Sequence, residues 1–224
     1  MLPTRLAAGA SLAGALMLAA TSPAPAAGQG TPATTPAPAT ASPTPAAAAT
    51  LPVRTGVRAF SLDRSHSQIN FEAEARLISA EGWFDKWEAD VQLDPEQLER
   101  GSVRFTIDAA SINTRVERRD NHLRSAEFFD VAKYPTITFA SKAIRRTGDK
   151  TGVITGDLTM HGVTKTIDVP VSMVFYENGR GRFKGSFTLN RQDYGVSGQS
   201  RMNKIEDEVE VKFQMAIVDR APAA

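Results

Sequence analysis

The chain of 224 residues has no cysteine, so neither a disulfide framework nor a lipid anchor on cysteine is open to it. Absence of cysteine is compatible with an oxidising compartment without indicating one. Charge is missing from the first fifty residues apart from Arg5. After Val53 no apolar run approaches the roughly 20 residues that a helix needs to span a bilayer. Net charge is lacking there too: Lys plus Arg total 26 and Asp plus Glu 25, and only Arg5 lies outside the region, leaving 25 minus 25, or zero. A neutral domain argues against a nucleic-acid partner, which calls for a basic surface. The short signatures of hydrolases, zincins, phosphate-binding loops and dinucleotide folds are also missing. Gly195-Val196-Ser197-Gly198 places a serine among glycines without the strand-to-helix elbow of a nucleophile.

What is present begins with an address. The apolar run LAAGASLAGALMLAA follows Arg5, and Ala24-Pro25-Ala26 offers small residues for a signal peptidase. Its length and Ala/Gly content predict a cleaved secretory leader over 1–26, with an uncleaved anchor as the rival reading. Residues 27–52 are almost entirely Ala, Pro, Thr, Ser and Gly. Such a composition cannot bury enough apolar surface to offset ordering, so a disordered tether is expected.

Strand patterns dominate the remainder. Ile69, Phe71, Ala73 and Ala75 alternate with polar residues, as do Trp87, Ala89, Val91 and Leu93. Val103, Phe105 and Ile107, then Ile137 and Phe139, continue the pattern. Further sets are Val169 to Phe175, Phe183 to Leu189, and Val209 to Ile217. A period of two puts each set on one face of a pleated strand. Turn signals separate them: Asp94-Pro95, Thr147-Gly148-Asp149, His161-Gly162 and Asn178-Gly179, the last a strong hairpin signal. Short helical pieces are expected near Pro95–Arg100 and within Arg115–Ser125, and Tyr134-Pro135 stops the second before a strand from Thr136. The class is all-β, barrel or sandwich; a closed barrel of eight or so strands would hold one small ligand.

Four segments in order, across residues 58 to 219, resemble the YceI family. They are FSLDRSHSQINFEAEA; SINT with RDNHLRSAEFFDVAKYPTITF; GDLTMHGVTKTIDVPV; and NRQDYGVSG. Glu74-Ala75-Arg76-Leu77-Ile78 departs from the Lys-His-Met-like sequence many members carry after the first long strand. The resemblance implies an extended antiparallel lipocalin-like β-barrel over 58–219 with one or two short helices. It also implies a secreted or periplasmic protein that binds or carries a long isoprenoid lipid, a prenyl quinone or prenyl pyrophosphate, without catalysis. Two readings stand beside it: an envelope stress-response or interaction protein with a packed barrel, and an enzyme on isoprenoids using His66, His122 or Asp193.

The apolar residues expected to face inward are Ile69, Phe71, Phe105, Ile137, Phe139, Val171, Met173, Phe187, Val211, Phe213 and Met215. For each of them taken singly, plain core packing is the favoured reading, because alternating apolar residues pack first of all. Arg115, Arg118, Arg119, His122 and Arg124 are dense enough to meet a charged head group, and arginine does so bidentately. Glu117, Asp120 and Glu127 lie among them, so a solvated helix face laced with ion pairs is the favoured reading. His66, His122 and His161 lack metal-ligand spacing, so no metal is expected and no cofactor is implied. Asp193-Tyr194-Gly195 reads as a strand end with a bulge. The expected partner is an isoprenoid lipid or quinone, with a homodimer left open and no membrane span after leader cleavage.

Overall fold

The computed structural model describes residues 56–199 and 203–220, so the expected leader (1–26) and tether (27–52) lie outside the described residues. The chain forms β1 (Arg58–Ala75), β2 (Ala80–Phe84), β3 (Trp87–Leu93), β4 (Ser102–Asp108), β5 (Ile112–Asn113), α1 (Glu117–Arg124), β6 (Thr136–Arg146), β7 (Thr151–Met160), β8 (Val163–Glu177), β9 (Arg180–Asn190) and β10 (Ile205–Asp219). Neighbours run β10-β9-β8-β7-β6-β4-β3-β1, and pairing of β10 with β1 closes this run into an eight-stranded antiparallel barrel. β2 pairs with the second half of β1, and β5 extends β2. Closure satisfies the strand edges that an open sheet would leave exposed.

Local sequence explains the connections. His161-Gly162 and Asn178-Gly179 both have positive φ, 52° and 77° then 50° and 72°, as a two-residue hairpin with a type I′ turn requires. They join Met160 to Val163 and Glu177 to Arg180 in register. The expected helices are a 3-10 turn at Leu98–Arg100 and α1 at Glu117–Arg124. Pro135 precedes β6 directly, and its carbonyl accepts a hydrogen bond from Ala109 N at 2.9 Å. Asp193 and Tyr194 form no bulge. They close a 3-10 turn, Arg191–Tyr194, that Gly195 caps at φ 73°, a left-handed conformation that favours glycine.

The two ends of the barrel differ. Phe60, Val91, Val103, Ile144 and Ile217 fill one end as a tight cluster, with Leu98 packed against it. At the other end α1 and Phe128 lie over the strands, and buried residues such as Ile69, Ile137, Met160 and Met215 line the interior beneath.

Candidate functional site

The interior between those ends is a cavity of ≈ 940 Å³ that opens beside α1. Its wall is made of cross-strand apolar neighbours. Phe105 stands opposite Phe139, which stands opposite Leu158. Phe71 opposes Val211, and Val211 opposes Phe187. Toward the mouth the wall residues shrink to Ala73, Ala75 and Ala80, which widens the opening. Polar lining is confined to α1, through Arg118, Arg119 and His122, with Glu127 beyond it, and to Arg191, Gln199 and Asn203.

Of the expected wall residues, Ile69, Phe71, Phe105, Ile137, Phe139, Phe187, Val211, Phe213 and Met215 line this cavity. Val171 and Met173 do not. They follow the lining residues Ile167 and Val169 along β8 but lie past the floor, opposite Gly152 and Phe183, toward the packed end. Alternation specifies which face a residue occupies and says nothing of depth. Phe84, Leu123, Phe129, Ile154, Leu158 and Met160 also line the space and were not singled out by pattern, while Leu189 belonged to an alternating set but was not among the expected wall residues. Gly152 and Gly156 interrupt β7, hiding its alternation, while Phe128-Phe129 follow the helix as an apolar pair without strand periodicity.

The five basic candidates divide by what their side chains already hold. Arg119 donates from Nε to Thr114 Oγ1 at 2.7 Å and from Nη2 to Thr114 O at 2.9 Å. Arg124 donates to the carbonyls of Ala110 at 2.7 Å and Ile112 at 2.8 Å, stapling α1 to the chain before it. Arg115 turns away from the cavity and sits over the Trp83 ring, 5.1 Å from its centre. Arg115 and Arg124 are therefore not lining residues. Arg118 is exposed and makes no ion pair among the described residues. His122 Nε2 lies 2.6 Å from Glu127 Oε2, and its ring meets Phe128 edge-on at 4.9 Å.

The acid within α1 has a structural task. Asp120 is buried and accepts hydrogen bonds from both the backbone and the hydroxyl of Thr114, fixing the approach to the helix. The other two histidines stand apart from the opening. His66 Nδ1 pairs with Asp63 at 2.8 Å, and that hydrogen bond, first among its contacts, holds the Asp63 carboxyl below its ordinary range. His161 is in the β7–β8 turn, its ring tilted against that of Tyr134 with the centres 4.5 Å apart. Among the described residues no three metal-ligating side chains gather.

Arg191, which sequence reasoning passed over, is buried at 4 % exposure. Its guanidinium donates to the carbonyls of Val196 (2.8 Å), Gly198 (2.9 Å) and Glu206 (3.0 Å) and to Asp207 Oδ1 (3.0 Å). It thereby ties the segment after β9 to the start of β10 at the cavity wall. A buried arginine needs such a full set of acceptors, since an unpaired buried charge is costly.

The comparisons with known proteins agree with this architecture. Residues 60–217 match the model of the YceI-like domain. A UPF0312 protein of Pseudomonas savastanoi is 35 % identical over 142 residues, 59 % of this chain and 71 % of that one. A Vibrio cholerae UPF0312 protein is 29 % identical over 174 residues, 74 % and 92 % of the two chains. Among solved structures, Burkholderia cenocepacia BcnA superposes with a TM-score of 0.65 at 29 % identity, covering 70 % of this chain and 99 % of its own. A polyisoprenoid binding domain from Saccharophagus degradans shares the fold at a TM-score of 0.59 and 20 % identity, over 72 % and 99 %. With one domain model spanning most of the described barrel, the chain belongs to the YceI-like family.

Proposed function

We propose that the protein binds and carries a long-chain isoprenoid lipid, its tail held in the barrel, in the periplasm or outside the cell. The observation that carries this reading is the open, apolar lumen. Its ≈ 940 Å³ is near the upper end of ligand pockets, which run from about 300 to 1,000 Å³. Each methylene moved from water into such a lumen contributes about 0.8 kcal/mol. A packed barrel would leave no such space. The fold is shared with a domain described as polyisoprenoid-binding, and the leader-like first 26 residues support an exported location.

The mouth favours a neutral or weakly charged head group, such as a quinone, over a pyrophosphate. Arg119 and Arg124 are spent on Thr114 and on main-chain carbonyls, and Arg115 is stacked on Trp83. That leaves Arg118 and the His122–Glu127 pair at the opening, too little for a bidentate clamp on two phosphates. Nothing in this arrangement calls for a reaction step.

Native mass spectrometry of protein purified from the producing cell tests the reading. The expected result is a bound lipid, extractable by organic solvent, with a repeating five-carbon tail. Protein that carries no lipid, and takes up none when offered prenyl quinones, refutes it.

A further inference from the structure

The rim of the open end carries large exposed apolar side chains, as β8 also does at Val174 and Phe175. Leu77 and Ile78, in the β1–β2 connection, are 67 % and 71 % exposed, and Val116, just before α1, is 47 % exposed. These are large apolar side chains in water, and Ile78 and Val116 also line the cavity, so the exposed patch is continuous with the lumen. The connection is held in place. Leu77 N donates to Asn203 Oδ1 at 2.8 Å, Asn203 Nδ2 donates to Ile78 O at 2.9 Å, and Arg76 N donates to Lys204 O at 2.9 Å. A pinned turn cannot fold its apolar residues back under cover, so their exposure is part of the fold.

The charges at the same level are mixed, with cations in excess: Arg76, Arg115, Arg118 and Lys204 stand against Glu117 and Glu127, the latter paired with His122. Arg76 lies just past the end of β1, Lys204 just before β10, and Arg115 and Arg118 flank Val116, with Glu117 opposing them. The acids Glu74 and Glu206 are exposed one residue inside the ends of β1 and β10. Arg76, Arg118 and Lys204 form no ion pair among the described residues. Exposed apolar side chains beside the unpaired cations Arg76, Arg118 and Lys204 suit an anionic bilayer surface, the apolar residues entering the headgroup layer and the cations meeting lipid phosphates.

We propose that this rim docks on an anionic membrane surface with the cavity mouth facing the bilayer, so that a tail passes between lipid and lumen without crossing water. The purpose of docking rests on the lipid-carrier reading; the docking itself does not need an occupied lumen. A second copy of this chain fits the rim poorly. A two-fold contact would set the same patch against itself, bringing Arg76 and Lys204 against their own copies.

The test is flotation of delipidated protein, purified from the producing cell, with vesicles of phosphatidylcholine alone or mixed with phosphatidylglycerol. Binding to the anionic vesicles is expected, weakening with added salt. Leu77→Asp, and separately Arg76→Glu with Lys204→Glu, should bind about tenfold more weakly, with the thermal unfolding midpoint of each variant checked against wild type. Wild type and variants share the same chain ahead of the barrel, so its contribution cancels in the comparison. Equal binding by wild type and folded variants overturns the proposal, as does failure to bind either vesicle. Concentration-dependent dimerisation that Leu77→Asp abolishes, without vesicle binding, also overturns it and assigns the rim to self-association. Vesicle binding by protein that neither carries lipid nor takes up prenyl quinones would sink the carrier reading alone, and retained lipid without vesicle binding would sink docking alone.

Discussion

Three phenylalanines of the lumen lie against glycines, and one of these pairs gives a quantitative test of what keeps the cavity open. A Cβ added at Gly82 would stand 2.5 Å from Phe71 Cζ, one at Gly156 2.5 Å from Phe139 Cζ, and one at Gly185 2.5 Å from Phe213 Cζ. Phe71–Gly82 and Phe213–Gly185 are direct cross-strand partners, so each ring lies along the wall where a neighbour has no side chain. Carbon atoms pack at about 3.5 Å or more, so Gly82→Ala obliges the Phe71 ring to retreat by about 1 Å, and the space open to it is the lumen. The same methyl would meet Asn113 O at 2.8 Å and displace β5 slightly. Overpacking of this kind costs about 1–3 kcal/mol. Loss of glycine's freedom in the unfolded chain returns about 0.4–1 kcal/mol. The expected net loss is about 1–2 kcal/mol. At about 2–4 °C per kcal/mol for a domain of this size, the midpoint should fall by roughly 2–8 °C. Thermal unfolding of Gly82→Ala, Phe71→Ala and the double variant measures it. In the Phe71→Ala background the alanine should be close to neutral, giving a coupling of about 1 kcal/mol or more. The single variant should also retain less lipid. Equal destabilisation in both backgrounds would refute the argument and leave Gly82 required by Asn113 alone.

Further outcomes follow from buried polar groups. Arg191→Met leaves the carbonyls of Val196, Gly198 and Glu206 without their donor. A loss of about 3 kcal/mol in urea unfolding is expected, with faster amide exchange over 195–199; an unchanged midpoint would show that the segment holds itself. Tyr194 is 2 % exposed, and its hydroxyl has no hydrogen-bond partner among the described residues. Tyr194→Phe should therefore be neutral or stabilising by up to about 1 kcal/mol. Burial first, and Asp193 second, raise the Tyr194 pKa above its ordinary value. The neutral phenol is the form the fold favours, so its contribution is complete below the unfolded tyrosine pKa of about 10 and is lost as pH rises through the raised value. The phenylalanine variant should lack that part of the alkaline decline, and identical pH profiles would remove Tyr194 from its cause.

The sequence by itself determined the strand-rich class, the faces of most strands and the hairpin turns. Those follow from interactions between residues a few positions apart: Asn178-Gly179 accepts positive φ wherever it is placed, and alternation at Ile69–Phe71 or Val211–Phe213 assigns a face before any partner is known. The ordered segments also carried the family. Tertiary structure decided closure, depth and charge commitment. Pairing of β1 with β10 joins residues as distant as Phe60 and Asp219, and no local signal encodes it. Val171 and Met173 have the right parity yet lie beyond the floor, because strands are longer than the cavity is deep. The arginines of the charged segment look alike in sequence. Only folding gives Arg124 to main-chain carbonyls, stacks Arg115 on Trp83 and leaves Arg118 at the mouth. Even the emptiness of the lumen is a tertiary property, since it depends on which phenylalanine meets which glycine across a strand pair, and register is fixed by the whole barrel.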